Sequence, residues 1–528
     1  MPDGERIRAA EVIAALSLAT DLGIGVPLEH GLHSTLIAMR LADRMRVDAA
    51  TASQTYFACL LFYVGCTANA DLADELFGGH DVLTRYGGPV RFGSRPRMLA
   101  GVVRAMAPPE DTPPIRVAKA ASRLPRFARV IGGQTSAMCE VAMMLTDHLG
   151  LHAEIGRLFA YVDERWDGKG RPGRSKRDEI PLAVRIAQVA RDAAFQRMLG
   201  GVTLAARVIR DRAGKAFDPD IAGVLADDAG EIVGLDDRGS AWDATLAREP
   251  SPRSTLADES IESALAAMGD FADLVSKYLV GHSRGVAALA PTAAARCGFA
   301  PTEVVAVRHA ALVHDVGRVA IPVRVWERVG ELTPDDWERV RLHAYHSERI
   351  LSRSSFLTRL APAATSHHER VDGSGYHRGS SGAALTPAAR LVAAADAFHA
   401  MTEPRPHRDA LAPAAAAEAL GREARAGRLD PDAVAAIVDA SGMPAPRIER
   451  PASLTEREAQ VVGLLARGLA TKQIARALGI SVKTADRHIQ NAYGKIGIST
   501  RAAAALFAMQ HGLAAWGELP IASRRGRS

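Results

Sequence analysis

Two runs, Ala311-Leu-Val-His314-Asp315-Val-Gly317-Arg318 and His367-His368-Glu369-Arg370-Val-Asp372-Gly373-Ser-Gly375-Tyr376, gather imidazole and carboxylate about fifty residues apart, with almost no cysteine nearby. That mixture of nitrogen and oxygen donors is the ligand set of hydrolytic sites for first-row transition metals. An adjacent His-Asp pair within an apolar helix is costly to bury unless something binds it. A metal offsets that cost.

The pieces resemble, over roughly residues 275–440, the HD-GYP phosphohydrolases, an all-helical family that cleaves cyclic di-GMP at a metal centre. The resemblance implies metal ligands at His282, His314, Asp315, His343, His367, His368 and Asp396, with Asp315 as the bridge. It also implies that Asp315, Arg318, Arg370 and Tyr376 serve catalysis or phosphate binding. A bridge suits Asp, which has two oxygens to share, whereas each imidazole caps one metal. An N/O set with open positions favours Fe or Mn over structural zinc.

Three positions depart from the family pattern. Arg318 stands where the family has Lys, and arginine can clamp a phosphate but cannot give up a proton. His377 follows Gly375-Tyr376 where the family has Pro, so a stiff turn residue is lost. Tyr278 stands where some members have Glu, so the expected number of divalent metals is two, not three.

Such a site needs a scaffold, and composition indicates its kind. The 528 residues exceed what one core accommodates and suggest three or four domains. Hydrophobic residues make up 48% but aromatics only 5%, and alanine runs such as Ala414–Ala417 favour closely packed helices. The expected fold is all-α. Cys59, Cys66, Cys139 and Cys297 lack CxxC spacing, which excludes a zinc ribbon or disulfide framework and fits a reducing cytoplasm. The apolar stretch Val12–Val26 is broken by Asp21, so it reads as neither a signal peptide nor a membrane span.

The chain also repeats itself. Asp163-Glu164-Arg165-Trp-Asp167-Gly168-Lys-Gly170 parallels Glu369-Arg370-Val-Asp372-Gly373-Ser-Gly375 without the histidines, and Arg212–Asp220 parallels Arg425–Asp432. Two copies of one helical fold follow. In the first copy Phe62-Tyr63 replaces His314-Asp315, Val162-Asp163 replaces the His doublet, and Arg191, beside Asp192, replaces Asp396. His30 and His33 compete for the position of His282. No dinuclear site can assemble from that set. The expected role of the first copy is packing, dimerisation or ligand sensing.

Residues 451–528 carry eleven Lys/Arg against four Asp/Glu, net +7, so the remaining 450 residues net −2. Thr455 and Glu458 form a capping box before Val461, Leu464 and Leu465 at helical spacing. Two further helices are expected at Thr471–Leu478 and Val482–Lys495, joined by Gly479-Ile-Ser481 in helix-turn-helix manner. Over roughly 452–515 the segment resembles the LuxR-type DNA-binding domain. The resemblance places Lys472, Lys483, Thr484, Arg487, His488 and Asn491 against double-stranded DNA, and the small residues Ala502–Ala505 in a dimer helix.

The expected organisation is a degenerate copy at 1–225, a linker at 226–270, the ligand-bearing copy at 271–440, a Pro-rich linker at 441–452, the helix-turn-helix domain at 453–516 and a basic tail at 517–528. The reading is a homodimeric DNA-binding regulator that hydrolyses cyclic di-GMP. A second reading keeps the nucleotide or metal site for sensing without turnover.

Overall fold

A computed structural model describes residues 7–236, 239–442, 451–511 and 513. Backbone contacts divide the chain into two compact units, Arg6–Ser260 and Ile261–Ser528. Both are helical, and among the described residues the only sheet is the antiparallel pair Ile7–Arg8 and Thr255–Leu256 in the first unit. No single described helix is long and apolar enough to cross a membrane.

The repeat is visible in matching hydrogen bonds. Nine residues before His30, Asp21 accepts from the Gly31 amide (3.1 Å); nine residues before His282, Asp273 accepts from the Ser283 amide (2.8 Å). Each bond pins the start of a helix, His30–Met45 or His282–Arg296, after a residue in the left-handed conformation, Glu29 or Gly281. This makes His30, rather than His33, the counterpart of His282. Glu164 accepts from the Gly173 and Arg174 amides as Glu369 does from those of Arg378 and Ser380. Arg185 pairs with the helix-capping Asp218 at 2.7 Å as Arg390 does with Asp430 at 2.8 Å. These anchors set Arg191 opposite Asp396 without a gap.

Residues 226–270, expected as an exposed linker, are largely helical. Helices Ala229–Val233 and Ala241–Ala247 bury Ile232, Val233, Trp242, Thr245 and Leu246, and the Tyr56 hydroxyl donates to the Thr245 carbonyl (3.1 Å). Asp, Gly and Ser residues in this stretch serve as caps and turns; Ser240 accepts from the Asp243 amide. The first unit therefore runs to Ser260, not 225. The helix Asp258–Asp273 then leads to the second copy.

Most of the Pro-rich linker (443–450) and all of the basic tail (517–528) lie outside the described residues. Between them the helices Glu456–Ala466, Thr471–Leu478, Val482–Ile496 and Arg501–Gln510 enclose Val461, Leu464, Leu465, Ile474, Ala475, Ala485 and Ile489. Thr455 and Glu458 exchange the two capping bonds, and Gly479 adopts φ +64° at the turn. In the last helix Ala503–Met509 are already buried and Ala502 is half-buried, so most of the small residues expected to pair with a second chain are covered within this one.

Close approach at Gly317 holds the ligand-bearing helices together. A Cβ there would collide with the His343 carbonyl and the Ser347 amide, while the Gly317 amide donates to Ser347 Oγ (2.9 Å). Gly317→Ala is expected to destabilise the second unit by about 1–3 kcal/mol, read as a lower melting temperature with the Gly330→Ala variant, where nothing lies within 4 Å, as control.

Candidate metal centre and nucleic-acid interface

Five helical segments deliver the seven expected ligands to one buried point. His282 starts its helix, His314 ends the helix Pro301–Val313 with Asp315 next, and His343 lies within Pro334–Leu351. His367 and His368 follow the short helix Ala361–Ala364, and Asp396 lies in Pro387–Thr402. The ligand atoms form two groups, His282-His314-Asp315-Asp396 and His343-His367-His368, each within 4.8 Å internally.

Asp315, fully buried, stands between the groups. Its Oδ2 is 2.8 Å from His314 Nε2 and 3.6 Å from His282 Nε2, whereas its Oδ1 is 3.2 Å from His367 Nε2 and 3.3 Å from His343 Nε2. One oxygen faces each group, which is the geometry of a bridging carboxylate. Asp396 Oδ1 lies 3.0 Å from His282 Nε2, and its Oδ2 lies 4.0 Å from His368 Nδ1.

The imidazoles are oriented by their other nitrogens. Nδ1 of His314 and of His367 each lies 2.7 Å from the carbonyl three residues earlier, Ala311 and Ala364, and His343 makes the same bond to Val340. Donation from Nδ1–H leaves each Nε2 as a lone pair aimed inward. His343 and His367 thus face each other Nε2 to Nε2 at 3.2 Å. Two facing lone pairs repel unless a cation lies with them. His314 Nε2 and both Asp315 oxygens are buried without a well-formed hydrogen bond, so the donor set fits divalent metal ions.

Burial favours protonation of Asp315, yet Arg318 and His314 hold its carboxyl well below the usual range. Burial works against a charged His314, but Asp315 outweighs it and raises the imidazole to about 10, so Nε2 takes up a proton beside Asp315 unless a metal ion competes for its lone pair. Burial lowers His367 to about 4, which keeps its imidazole neutral.

The remaining expected residues line this centre differently. Arg318 is buried with Nη2 2.5 Å from Asp315 Oδ2. Tyr376 stacks on His368, centroids 4.7 Å apart. Arg370 Nη1 donates to the His367 and Glu369 carbonyls, so this nitrogen braces the doublet rather than reaching for phosphate. His377 bonds Glu348 at 3.0 Å.

Sequence reasoning missed Glu403 and His399. Glu403 Oε2 lies 2.8 Å from His282 Nδ1 and accepts from Arg405 Nη2 (2.8 Å), and His399 Nδ1 is 3.3 Å from His282 Nδ1. Asp396, His399 and Glu403 follow at i, i+3 and i+7, a helical spacing that could have shown them on one face. The carboxylate orients His282 as the backbone carbonyls orient the other ligands.

In the first copy the centre is filled. The Arg191 guanidinium lies 3.6 Å from the Tyr63 ring centroid and 4.8 Å from that of Phe62. Arg91 joins Asp163 at 2.7 Å and lies 5.0 Å from the Tyr63 centroid. Arginine on an aromatic face thus stands at the positions that align with Asp315 and Asp396.

On the basic domain, Lys472, Lys483, Thr484, Arg487 and Asn491 are exposed and His488 is half-buried. Among the described residues Lys472, Lys483 and Arg487 form no ion pair. Ser481 caps the helix Val482–Ile496 and contacts the Thr484 hydroxyl at 2.7 Å. Lys495 instead ties to Glu458 (2.6 Å) and takes no part in the exposed face.

Residues 267–433 match the HD domain family model, and residues 452–508 match that of bacterial regulatory proteins of the luxR family. The chain therefore combines an HD domain, carried in the second of two helical copies, with a C-terminal luxR-type domain. It is homologous to HD-GYP cyclic dinucleotide phosphodiesterases. It is 27% identical over 434 residues, 81% of this chain and 93% of the relative, to the 3'3'-cGAMP-specific phosphodiesterase 3 of Vibrio cholerae. It is 38% identical over 130 residues to a cyclic di-GMP phosphodiesterase of Thermotoga maritima, covering 24% of this chain and 35% of that one. A crystal structure of a V. cholerae cyclic GMP-AMP specific phosphodiesterase shares the fold, with TM-score 0.56, 23% identity, and coverage of 83% of this chain and 99% of that one.

Replacing Glu403 by Ala is expected to weaken metal binding about 10–100-fold, the usual effect of removing a carboxylate behind a ligating histidine. Equilibrium dialysis against Mn(II) measures it. Parental affinity would show that His282 does not depend on Glu403.

Proposed function

We propose that the second copy is a metal-dependent phosphodiesterase for 3',3'-linked cyclic dinucleotides, cyclic di-GMP or cyclic GMP-AMP, and that the chain couples this site to DNA. The observation that carries the reading is Asp315, with one oxygen toward each histidine group. Two divalent ions, Fe or Mn by donor type, would supply Lewis-acid activation of water and of the phosphate. His282, His314, Asp315 and Asp396 would hold one, and His343, His367 and His368 with Asp315 the other. The protein's own part is orientation: Nδ1 bonds fix the imidazoles, and the Glu369-clamped loop sets Tyr376 over His368. Arg318 adds a fixed positive charge beside Asp315 that favours an anionic phosphate.

A second reading, sensing without turnover, is supported by one feature. Arg318 is ion-paired to Asp315 where the family's Lys would stand, and an arginine donates no proton to a leaving group. The purified full chain loaded with Mn(II) separates the two. Hydrolysis of a cyclic dinucleotide, abolished by Asp315→Ala together with metal binding, supports the enzyme. Binding of metal and nucleotide without cleavage supports the sensor. Unchanged metal content in Asp315→Ala contradicts both.

The exposed Lys483-Thr484-Arg487 face supports duplex DNA binding in the major groove; a homodimer on paired half-sites would pair through a surface other than the buried Ala503–Ala505. Such a protein acts where DNA and cyclic dinucleotides are, in the cytoplasm. Arg487→Ala is expected to cost about 1–3 kcal/mol if it reads a base edge and to relax preference at one position. Lys483→Ala is expected to weaken all sequences alike and flatten the salt dependence. Titrations of labelled duplexes at several salt concentrations check both, and parental affinity in Arg487→Ala with Lys483→Ala combined would refute the placement.

A further inference from the structure

The helix that supplies His343 has a second face that the metal centre does not use. Trp337, Arg341 and Tyr345 recur every four residues and so align along one side, whereas Val340, His343, Ala344 and Ser347 are buried on another. Trp337 is 44% exposed and Tyr345 41%. Large aromatic rings left open to water need a reason.

Packing does not provide one. The nearby apolar cluster of Ile321, Val325 and Val340 takes Ala320, Trp326 and Leu332 against it, and Trp337 is outside that set. Trp337 instead meets Tyr376 edge-on, centroids 5.7 Å apart at 80°. Tyr376 is the ring stacked on His368, and Arg341 lies 5.8 Å from the Tyr376 centroid. Trp337 is therefore two ring contacts from a metal ligand, at the open end of an aromatic series that begins inside the centre. Further along the same side, Tyr345 lies 5.9 Å from the His377 ring, on the loop that follows Tyr376.

We propose that this face is the base-binding platform of the site, with the Trp337 indole stacking on a nucleobase of the cyclic dinucleotide whose phosphate lies at the metal centre. The inference rests on the phosphodiesterase reading above. A phosphodiester at the metals has a base attached through its ribose, and the base must lie over protein or in water. An exposed indole can bind a purine face by stacking, and Arg341, which lies over the neighbouring Tyr376 ring and pairs through Nη1 with Glu338, adds positive charge nearby. The edge contact with Tyr376 fixes the indole in place and lowers the entropy lost on stacking.

Three measurements on the Mn-loaded full chain test this. The first is affinity for the bis-phosphorothioate analogue of cyclic di-GMP, by calorimetry. The second is cleavage of bis(4-nitrophenyl) phosphate, which has no nucleobase. The third is melting temperature. Trp337→Ala is expected to weaken the analogue about fivefold or more, with cleavage of the base-free ester and the melting temperature unchanged. Trp337→Phe is expected to regain most of the affinity. Equal affinity in parent and Trp337→Ala overturns the platform, as does an equal loss on both probes. A parent that cleaves the base-free ester but binds no cyclic dinucleotide overturns the substrate reading itself, and the platform with it.

Discussion

The second copy is organised around one carboxylate buried among imidazoles. Asp315 is fully inaccessible, and an isolated ion there would cost several kcal/mol. It stays ionised chiefly because the Arg318 guanidinium and His314 stand against its Oδ2. The neighbouring structure serves that arrangement. Asp273 pins the helix of His282, Gly317 lets the helix of His343 approach, and Glu369 clamps the loop after the His doublet. Three backbone carbonyls and Glu403 then fix which nitrogen each ring turns inward.

The first copy shows the same fold without the carboxylate. Its anchors persist in Asp21, Glu164 and Asp218, and His30 keeps the place of His282. Tyr63 takes the place of Asp315, and the guanidinium of Arg191 rests on its ring. A buried arginine over two aromatic faces keeps positive charge at the centre without a dissociable ion. The scaffold outlasts the chemistry because its capping and clamping bonds lie outside the ligand set.

Much of this was legible in the sequence. His-Asp and His-His adjacency marks metal chemistry by residue type, and the helical spacing of Val461, Leu464, Leu465, Ile474 and Ala475 marked the core of the basic domain. The all-helical class followed from alanine content and scarce aromatics. Other features depend on tertiary contacts. Glu403 is 121 positions from His282, so although its spacing from Asp396 puts it on the same helical face, only the tertiary contact shows which ring it orients. Trp242 and Leu246 were hidden by the Asp, Gly and Ser around them, so a buried segment read as a linker. Ala503–Ala505 suited a dimer helix by size, but burial within the chain decides whether such a face is open. The choice between His30 and His33 needed the Asp21 bond.

Anomalous diffraction at the manganese edge from crystals of the Mn-loaded protein tests the central claim most directly. Two peaks are expected in the second copy, one beside each oxygen of Asp315, and none beside Arg191 and Tyr63 in the first. A single peak remote from Asp315, or a peak in the first copy, would contradict the account.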